Sequence, residues 1–155
     1  MEILLTGFRG TSAEPLVKRA DYKSLILPSD KVIDSRILLE EADQGTYNYI
    51  VSFGQKPNIR DKVYLETTAR QGNASIVTDF DYVRLKCGLE SENLTIRISE
   101  NAGTSFCNEL YWNGLNHIYG KGLAVKMIFV HIPFLKNITD SGAFFKGILR
   151  AVEKL

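Results

Sequence analysis

Cysteine, proline and long apolar runs are all scarce in this sequence of 155 residues. The two cysteines, Cys87 and Cys107, are too few for a disulfide scaffold or a multi-cysteine zinc site. A single disulfide between Cys87 and Cys107 remains an alternative, although a chain with both cysteines reduced is favoured. No window approaches the ~20 apolar residues of a transmembrane helix, and the apolar run at residues 3–5 is too short for a signal peptide. We therefore expect a cytoplasmic chain that does not contact a membrane.

The sequence also lacks an excess of charge of either sign, since 19 Lys and Arg residues face 18 Asp and Glu residues. Near-neutrality argues against a broad electrostatic surface for nucleic acid. Hydrophobic residues make up 45% of the chain, enough for a sizeable core, and neither a repeat nor a low-complexity segment is present. The length is typical of one domain, commonly about 100–200 residues. We therefore expect a single domain over residues 1–155.

Short apolar runs alternate with helical patterns, which is typical of an α/β fold with a mainly parallel sheet. Strands are predicted at residues 3–6, 24–27, 49–53, 94–98 and 123–132. Helices are predicted at residues 15–20, 104–119 and 140–155, with a further helix capped by Ser29 and followed by Gly45. Residues 56–92 are harder to interpret, with candidate strands at 63–65 and 74–78. The predicted fold class is α/β, a twisted, mainly parallel sheet with helices on both faces.

Two of these helices carry apolar faces that we expect to pack into the core. In the helix after Ser29 the expected face is Val32, Ile33, Ile37, Leu38 and Ala42. In the last helix it is Phe144, Phe145, Ile148, Leu149, Val152 and Leu155, for which a partner groove is the minor alternative.

Cys107 is the first residue that could carry chemistry. With Thr104 as N-cap it would be the third helical residue, where free backbone N–H groups and the helix dipole favour a thiolate. The same N–H groups could hold a developing oxyanion. Taken alone, however, a lone cysteine is more often a small buried hydrophobe.

His131 and Glu66 are the candidate partners of that cysteine. His131 lies late in a predicted strand, and ligands of open α/β sheets bind at the carboxyl ends of strands, so the imidazole is well placed to act as a base. A core histidine bonded to a carbonyl is the commoner case. Glu66 follows a candidate strand and could orient the imidazole, although a single glutamate is usually a surface charge. His117, inside a predicted helix, is assigned no role.

Two segments carry a family resemblance. Residues 99–108 read Ser-Glu-Asn-Ala-Gly-Thr-Ser-Phe-Cys-Asn, and residues 129–133 read Phe-Val-His-Ile-Pro. They resemble the nucleophile and histidine segments of the pyroglutamyl peptidase I (pyrrolidone-carboxylate peptidase) family. Further similarity lies in Phe53-Gly54-Gln55 with Arg60, in Leu65-Glu66-Thr67-Thr68-Ala69 and in Leu5-Thr6-Gly7-Phe8.

The resemblance implies a cysteine peptidase that removes N-terminal pyroglutamate from peptides. Cys107 would be the nucleophile, His131 the general base and Glu66 the group that orients His131. Phe8, Gln55 and Phe106 are the expected substrate-binding residues. No metal or organic cofactor is expected. The resemblance further implies a phosphorylase/hydrolase-like α/β fold and a cytoplasmic enzyme that is often a homo-oligomer, acting on small peptides with a blocked N-terminus.

The chain also departs from the family pattern. The family's second phenylalanine after Phe8 has no counterpart, and Ser105 stands where an aromatic is usual. Gln71 replaces an asparagine, and Ser75 and Ile76 lie where an arginine near the reaction centre is expected, for which Arg84 is a candidate substitute. The chain therefore resembles a shortened member, trimmed after Phe8 and between Glu66 and Cys107.

Alternatives from other classes follow from these departures. One is a cysteine hydrolase on the same scaffold that acts on a different small N-terminal group or amide. Another is a binding homologue with weakened catalysis. A nucleotide-binding module is disfavoured, because Gly7-Phe8-Arg9-Gly10 is too short for a glycine-rich phosphate loop.

Overall fold

The computed structural model describes residues 1–155, and its centre is a six-stranded sheet. In chain order the strands of this sheet are β1 (Ile3–Phe8), β2 (Lys23–Leu27), β3 (Tyr49–Lys56), β4 (Lys62–Glu66), β7 (Thr95–Ser99) and β8 (Lys126–Pro133). Between β4 and β7 the chain forms a separate hairpin of β5 (Thr68–Gln71) and β6 (Ala74–Val77). Across the sheet the order is β2-β1-β3-β8-β4-β7, and only the β4–β8 pair is antiparallel. The predicted α/β class with a mainly parallel sheet is confirmed.

Five α-helices cover this sheet, and a short 3-10 helix (Leu135–Asn137) follows its last strand. The α-helices are α1 (Ala13–Val17), α2 (Lys31–Gln44), α3 (Tyr82–Ser91), α4 (Phe106–Lys121) and α5 (Ser141–Glu153). One hydrophobic cluster joins one face of the sheet to α1, α3 and α5, and a second joins the other face to α2 and α4. Helices on both faces are thus confirmed. None of the helices is both long and apolar enough to cross a membrane.

Alternation along the central strands explains why both faces are apolar. In β1, Leu5 belongs to the first cluster and Leu4 to the second, and in β8, Ile128 and Phe129 divide in the same way. Successive strand side chains point to opposite faces, so a strand buried on both sides reads as a continuous apolar run. That is why these strands were predictable from short apolar runs.

The structure confirms the predicted apolar face of the last helix and corrects the predicted N-cap of α2. In α5, Phe144, Phe145, Ile148 and Val152 lie in the first cluster, with Leu149 packed against it, and Leu155 joins the cluster just after the helix. Asp30 caps α2, because its side chain accepts from the N–H groups of residues 32 and 33 at 3.0 and 2.8 Å. The predicted cap Ser29 instead has a left-handed φ of 66°.

The predicted apolar face of α2 is also partly wrong. Val32 and Ile33 are exposed, whereas the polar residues Asp34 and Ser35 are buried. The buried face is set by docking against α4, where the Asn113 side chain donates to the Ser35 hydroxyl at 2.9 Å. Tertiary contact therefore overrides the apolar pattern in this helix.

Residues 56–92 contain both confirmed and missed elements. The candidate strands at 63–65 and 74–78 correspond to β4 and β6, while β5 and α3 were not predicted. The β5 strand is short and pairs only with β6, across a turn in which Gly72 has a φ of 57°. Helix α3 starts from an Asp81 cap that accepts from the Arg84 N–H at 3.1 Å. The four residues of β5 are too few for a periodic signal, and in α3 the buried face consists only of Leu85, Gly88 and Leu89.

Candidate active site

The pleat of the sheet brings Glu66 and His131 to the same face. Glu66, the last residue of β4, pairs with Phe129 across the antiparallel β4–β8 ladder. His131 lies two residues further along β8, so its side chain points to the same face as that of Phe129. Diagonal neighbours of this kind are within reach of long side chains. The position of Glu66 beside His131 is therefore a consequence of strand register.

The contact between the two side chains is a buried hydrogen bond. Nδ1 of His131 lies 2.8 Å from Oε1 of Glu66. Glu66 is completely buried, and His131 is 4% exposed. Because a carboxylate can only accept, Nδ1 carries the proton and Nε2 is left as the basic nitrogen.

Cys107 approaches this pair from the other side of the pocket, at the start of α4. The helix begins one residue later than predicted, because its N-cap is Ser105 and not Thr104, and the Ser105 side chain makes no capping hydrogen bond. Cys107 is therefore the second helical residue and not the third. Its backbone N–H is one of those that lack a partner within the helix.

Gly54 makes room for the sulfur of Cys107. This glycine lies opposite His131 in the parallel β3–β8 ladder. A Cβ at position 54 would lie 2.5 Å from Sγ of Cys107 and 2.9 Å from the Phe129 ring. The sulfur therefore packs directly on Gly54, the residue of β3 that pairs with His131, and no hydrogen bond joins the thiol to the imidazole.

Burial of the Cys107 sulfur acts against the thiolate that the helix N-terminus was expected to favour. Burial raises the pKa of Cys107 to about 12, and the charge of Glu66 adds to the rise. The backbone N–H of Cys107 and the charge of Lys56 act in the opposite direction but do not outweigh burial. Desolvation exceeds the effect of the helix N-terminus here.

For Glu66, the groups that lower the pKa outweigh the effect of burial. Burial acts to raise its pKa, but hydrogen bonding from His131 and Ser99 and the charges of His131 and Lys56 together hold the pKa of Glu66 below its ordinary value. Its second oxygen, Oε2, has no partner that meets hydrogen-bond geometry. The two side-chain hydrogen bonds that reach the carboxylate, from His131 and Lys56, both fall on Oε1.

Cys107 and His131 line a cavity of about 500 Å³, and Glu66 lies behind His131, outside the cavity wall. Its walls come from the ends of β1, β3 and β8 and from the segment that leads into α4. The lining residues are Phe8, Thr11, Ser29, Gln55, Lys56, Pro57, Ala102, Gly103, Ser105, Phe106, Cys107, His131 and Phe134. The cavity opens at the carboxyl ends of the parallel strands, where open α/β sheets bind ligands.

The structure places all three predicted substrate-binding residues in this wall. The rings of Phe8 and Phe106 lie 6.5 Å apart and form one apolar part of the wall. The side-chain carbonyl of Gln55 accepts from the Ser12 N–H at 3.0 Å, which leaves the amide group of Gln55 as a donor.

Lys56 and Phe134 line the same cavity and were not predicted. Both directly follow motif residues at strand ends, Lys56 after Gly54-Gln55 and Phe134 after Pro133, and that position was the available signal. Arg84, the suggested substitute for the family arginine, lies exposed on α3 and does not line the cavity. Cys87 is also exposed on α3, and both cysteines are free.

Comparison with known proteins supplies the family. A family model described as pyroglutamyl peptidase matches residues 55–143, which is more than half of the chain and includes Glu66, Cys107 and His131. The pyrrolidone-carboxylate peptidase of Thermoanaerobacter sp. (strain X514) is 43% identical over 47 residues. Pyrrolidone-carboxylate peptidase 1 of Caldanaerobacter subterraneus subsp. tengcongensis has the same identity over the same length. Each of these matches covers 30% of this chain and only 23% of the relative.

Solved structures share the whole fold at low identity. The pyrrolidone carboxyl peptidase of Fervidobacterium islandicum AW-1 superposes with a TM-score of 0.87 at 19% identity, covering 99% of this chain and 97% of that one. Pyroglutamyl peptidase I of Bacillus amyloliquefaciens gives 0.86 at 19% identity, covering 99% and 95%. These superpositions establish the fold, and the family model establishes the relationship. The chain belongs to the pyroglutamyl peptidase family.

Proposed function

We propose that this chain is a cysteine peptidase that removes N-terminal pyroglutamate from peptides through Cys107, His131 and Glu66. The observation that carries the proposal is the buried 2.8 Å contact between His131 and Glu66, beside a cavity that the Cys107 sulfur also lines. A nucleophile, a base and a group that orients the base is the arrangement of covalent acyl transfer.

The first half of the reaction forms a thioester. Nε2 of His131 takes the proton of Cys107 as Sγ attacks the carbonyl carbon that follows the lactam ring. In this proposal proton transfer accompanies attack, because burial raises the pKa of the Cys107 thiol. The tetrahedral intermediate then collapses, the C–N bond breaks, and His131 returns the proton to the departing amine.

The second half releases pyroglutamate. Water attacks the thioester carbonyl while Nε2 accepts its proton, and the C–S bond breaks with the proton passing to sulfur. Throughout, Glu66 keeps Nδ1 protonated so that Nε2 is the nitrogen that exchanges protons. No oxidant, reductant or cofactor enters this balance.

The start of α4 is suited to hold the oxyanion. The first N–H groups of a helix have no partner within it, and the Ser105 side chain does not cap this one. Donors aimed at developing charge in a site that excludes water are commonly the largest part of such catalysis. The N–H groups next to Cys107 therefore serve this role in the proposal.

The cavity suits a small neutral lactam. Phe8, Phe106 and Phe134 supply apolar walls, and Gln55 supplies an amide donor. Few polar groups among apolar walls are typical of small-ligand pockets. A cytoplasmic location, blocked small peptides as substrates and homo-oligomeric assembly belong to the same proposal, on the family resemblance alone.

A fluorogenic pyroglutamyl amide assay tests the proposal. We expect turnover by the purified chain, loss of more than about 10³-fold in Cys107→Ala, and unchanged turnover in Cys87→Ala, the exposed matched cysteine. Survival of turnover in Cys107→Ala would contradict the mechanism.

A departure from the family pattern in the cavity wall favours a second candidate. Ser105 lines the wall where the family usually has an aromatic residue, so a hydroxyl stands in place of a ring. Absence of pyroglutamyl turnover by folded protein, together with Cys107-dependent hydrolysis of another small amide, would replace the proposed substrate and keep the mechanism.

A further inference from the structure

We propose that Lys56 is a positioning residue whose ammonium group keeps Glu66 ionised and thereby holds His131 in the tautomer that acts as a base. This inference deepens the proposed function and rests on it for its kinetic readout. It concerns a residue that neither the catalytic motif nor the strand pattern singles out.

The ionised form of Glu66 is only partly compensated by its surroundings. This carboxylate is completely buried, and its Oε2 has no hydrogen-bond partner. A buried carboxylate without full compensation tends to take up a proton. A neutral Glu66 could donate a hydrogen bond from its carboxylic O–H to Nδ1 of His131, which would then act as an acceptor without a proton of its own. The imidazole proton would then sit on Nε2, which could no longer accept the proton of Cys107.

Lys56 is placed to prevent this. Its Nζ lies 3.2 Å from Oε1 of Glu66, the same oxygen that contacts Nδ1 of His131. No other lysine or arginine forms an ion pair with Glu66. Two donors on one oxygen favour the charged carboxylate, because hydrogen bonding to the ionised form stabilises it.

The ammonium group is itself held in place, unlike that of an ordinary surface lysine. Nζ also donates to the carbonyl of Asn101 at 3.3 Å and lies 4.7 Å from the centre of the Tyr64 ring. The side chain is 27% exposed. Contacts from β4 and from the segment before α4 therefore converge on the end of β3, and cation–π contact with Tyr64 adds to the ion pair.

Other ionisable and polar groups surround the pair without supplying the same charge. From α4, the Tyr111 hydroxyl donates to the backbone carbonyl of Glu66 at 2.8 Å, and burial raises the pKa of the Cys107 thiol. From β7, the Ser99 hydroxyl contributes to the low pKa of Glu66. None of these groups is a cation.

The kinetic test compares charge-removing and charge-keeping variants. Lys56→Met should lower kcat more than it raises KM. It should also move the acidic limb of the kcat/KM profile to higher pH. At a pH on that limb, kcat/KM should fall by about tenfold or more. The sign follows because loss of Lys56 removes a charge that lowers the pKa of Glu66. Lys56→Arg should restore the profile. Lys86→Met breaks a surface Lys–Glu pair on α3, with Glu90 at 2.8 Å, and should leave the profile unchanged.

A second readout needs no substrate. The chain has only two histidines, so nitrogen NMR of labelled histidine resolves His131 after His117→Gln assigns the other. Wild type should show the proton on Nδ1, and Glu66→Gln, which mimics a neutral glutamate, should show it on Nε2. At mildly acidic pH, Lys56→Met should move towards the Glu66→Gln spectrum.

The outcomes separate the two proposals. Lack of pyroglutamyl turnover by wild type would overturn the proposed function, while the NMR comparison would still decide the role of Lys56. An unchanged tautomer and an unchanged pH profile in folded Lys56→Met would overturn the inference. If that variant does not fold, Lys56→Gln, which keeps a donor without the charge, gives the same comparison.

Discussion

At the scale of single residues, two buried carboxylates have opposite surroundings. Glu66 contacts His131 and Lys56, whereas neither oxygen of Asp34 has a hydrogen-bond partner, although its residue is only 1% exposed. Burial raises the pKa of Asp34, and the backbone of Asp30 and Ser29 offsets this only in part. An unpaired buried charge of this kind is unfavourable for folding.

The two shifts affect stability in opposite directions. The pKa of Glu66 is lowered by folding, so its contribution is present above the ordinary glutamate pKa and is lost as pH falls through the folded value. The pKa of Asp34 is raised by folding, so its ionisation reduces stability as pH rises from the ordinary aspartate pKa through the folded value.

We expect Asp34→Asn to stabilise the fold at neutral pH. Removing an unpaired buried charge should raise the free energy of unfolding by about 1–2 kcal/mol. Denaturant titration at neutral and at strongly acidic pH measures this, and the gain should disappear at acidic pH, where Asp34 is protonated. Asp140→Asn, at the exposed cap of α5, should change stability by less than about 0.5 kcal/mol because asparagine caps as well as aspartate. Equal effects of Asp34→Asn at both pH values would show that its charge is not the cause.

At the scale of elements, the candidate site is a junction of three strands and one helix. Register places Gly54 of β3 and Tyr64 of β4 opposite His131 of β8, and α4 brings the Cys107 sulfur onto Gly54. Close packing at such a junction leaves no room for extra atoms.

We expect Gly54→Ala to damage the site more than the fold. The added Cβ, 2.5 Å from Sγ of Cys107, would force the sulfur away from its place beside β3. Turnover should fall by about 10²-fold or more, since small displacements of reacting groups are costly, with a loss of stability of about 1–3 kcal/mol.

The matched control is Gly120→Ala, in the last turn of α4. A Cβ there meets nothing within 4 Å. This change should leave turnover unchanged and raise stability by about 0.5–1 kcal/mol, because alanine favours helix more than glycine does. Full activity in Gly54→Ala would contradict the placement of the sulfur.

At the scale of the whole molecule, the sheet couples two hydrophobic clusters. Each central strand sends alternate side chains into each cluster, so neither cluster can be lost without disturbing the other. We therefore expect cooperative unfolding in a single transition.

Phe145→Ala tests this coupling. Phe145 is 1% exposed on α5, and its truncation should lower the free energy of unfolding by about 3–5 kcal/mol. The single tryptophan, Trp112, packs against the other cluster from α4. Trp112 fluorescence and far-UV circular dichroism should give the same lowered midpoint.

Val83→Ala, on the exposed side of α3, is the control and should change stability by less than about 0.5 kcal/mol. Two separate midpoints for Phe145→Ala would show that the clusters unfold independently.

The sequence by itself determined the fold class and the three central residues of the candidate site. Continuous apolar runs marked β1, β3 and β8 because strands buried on both faces need them. Taken alone, Cys107, His131 and Glu66 were each more often structural residues, and the resemblance of their segments to one family assigned their roles. Local sequence motifs therefore sufficed for these features only in combination.

Only the tertiary structure decided the pKa shifts and ion pairs of the site and the packing around it. The raised pKa of Cys107, the pairing of Lys56 with Glu66 and the burial of Asp34 depend on desolvation and on neighbours distant in sequence. The same holds for the buried face of α2, which its contact with α4 sets. Burial and distance are properties of the packed chain, and electrostatic interactions depend on both.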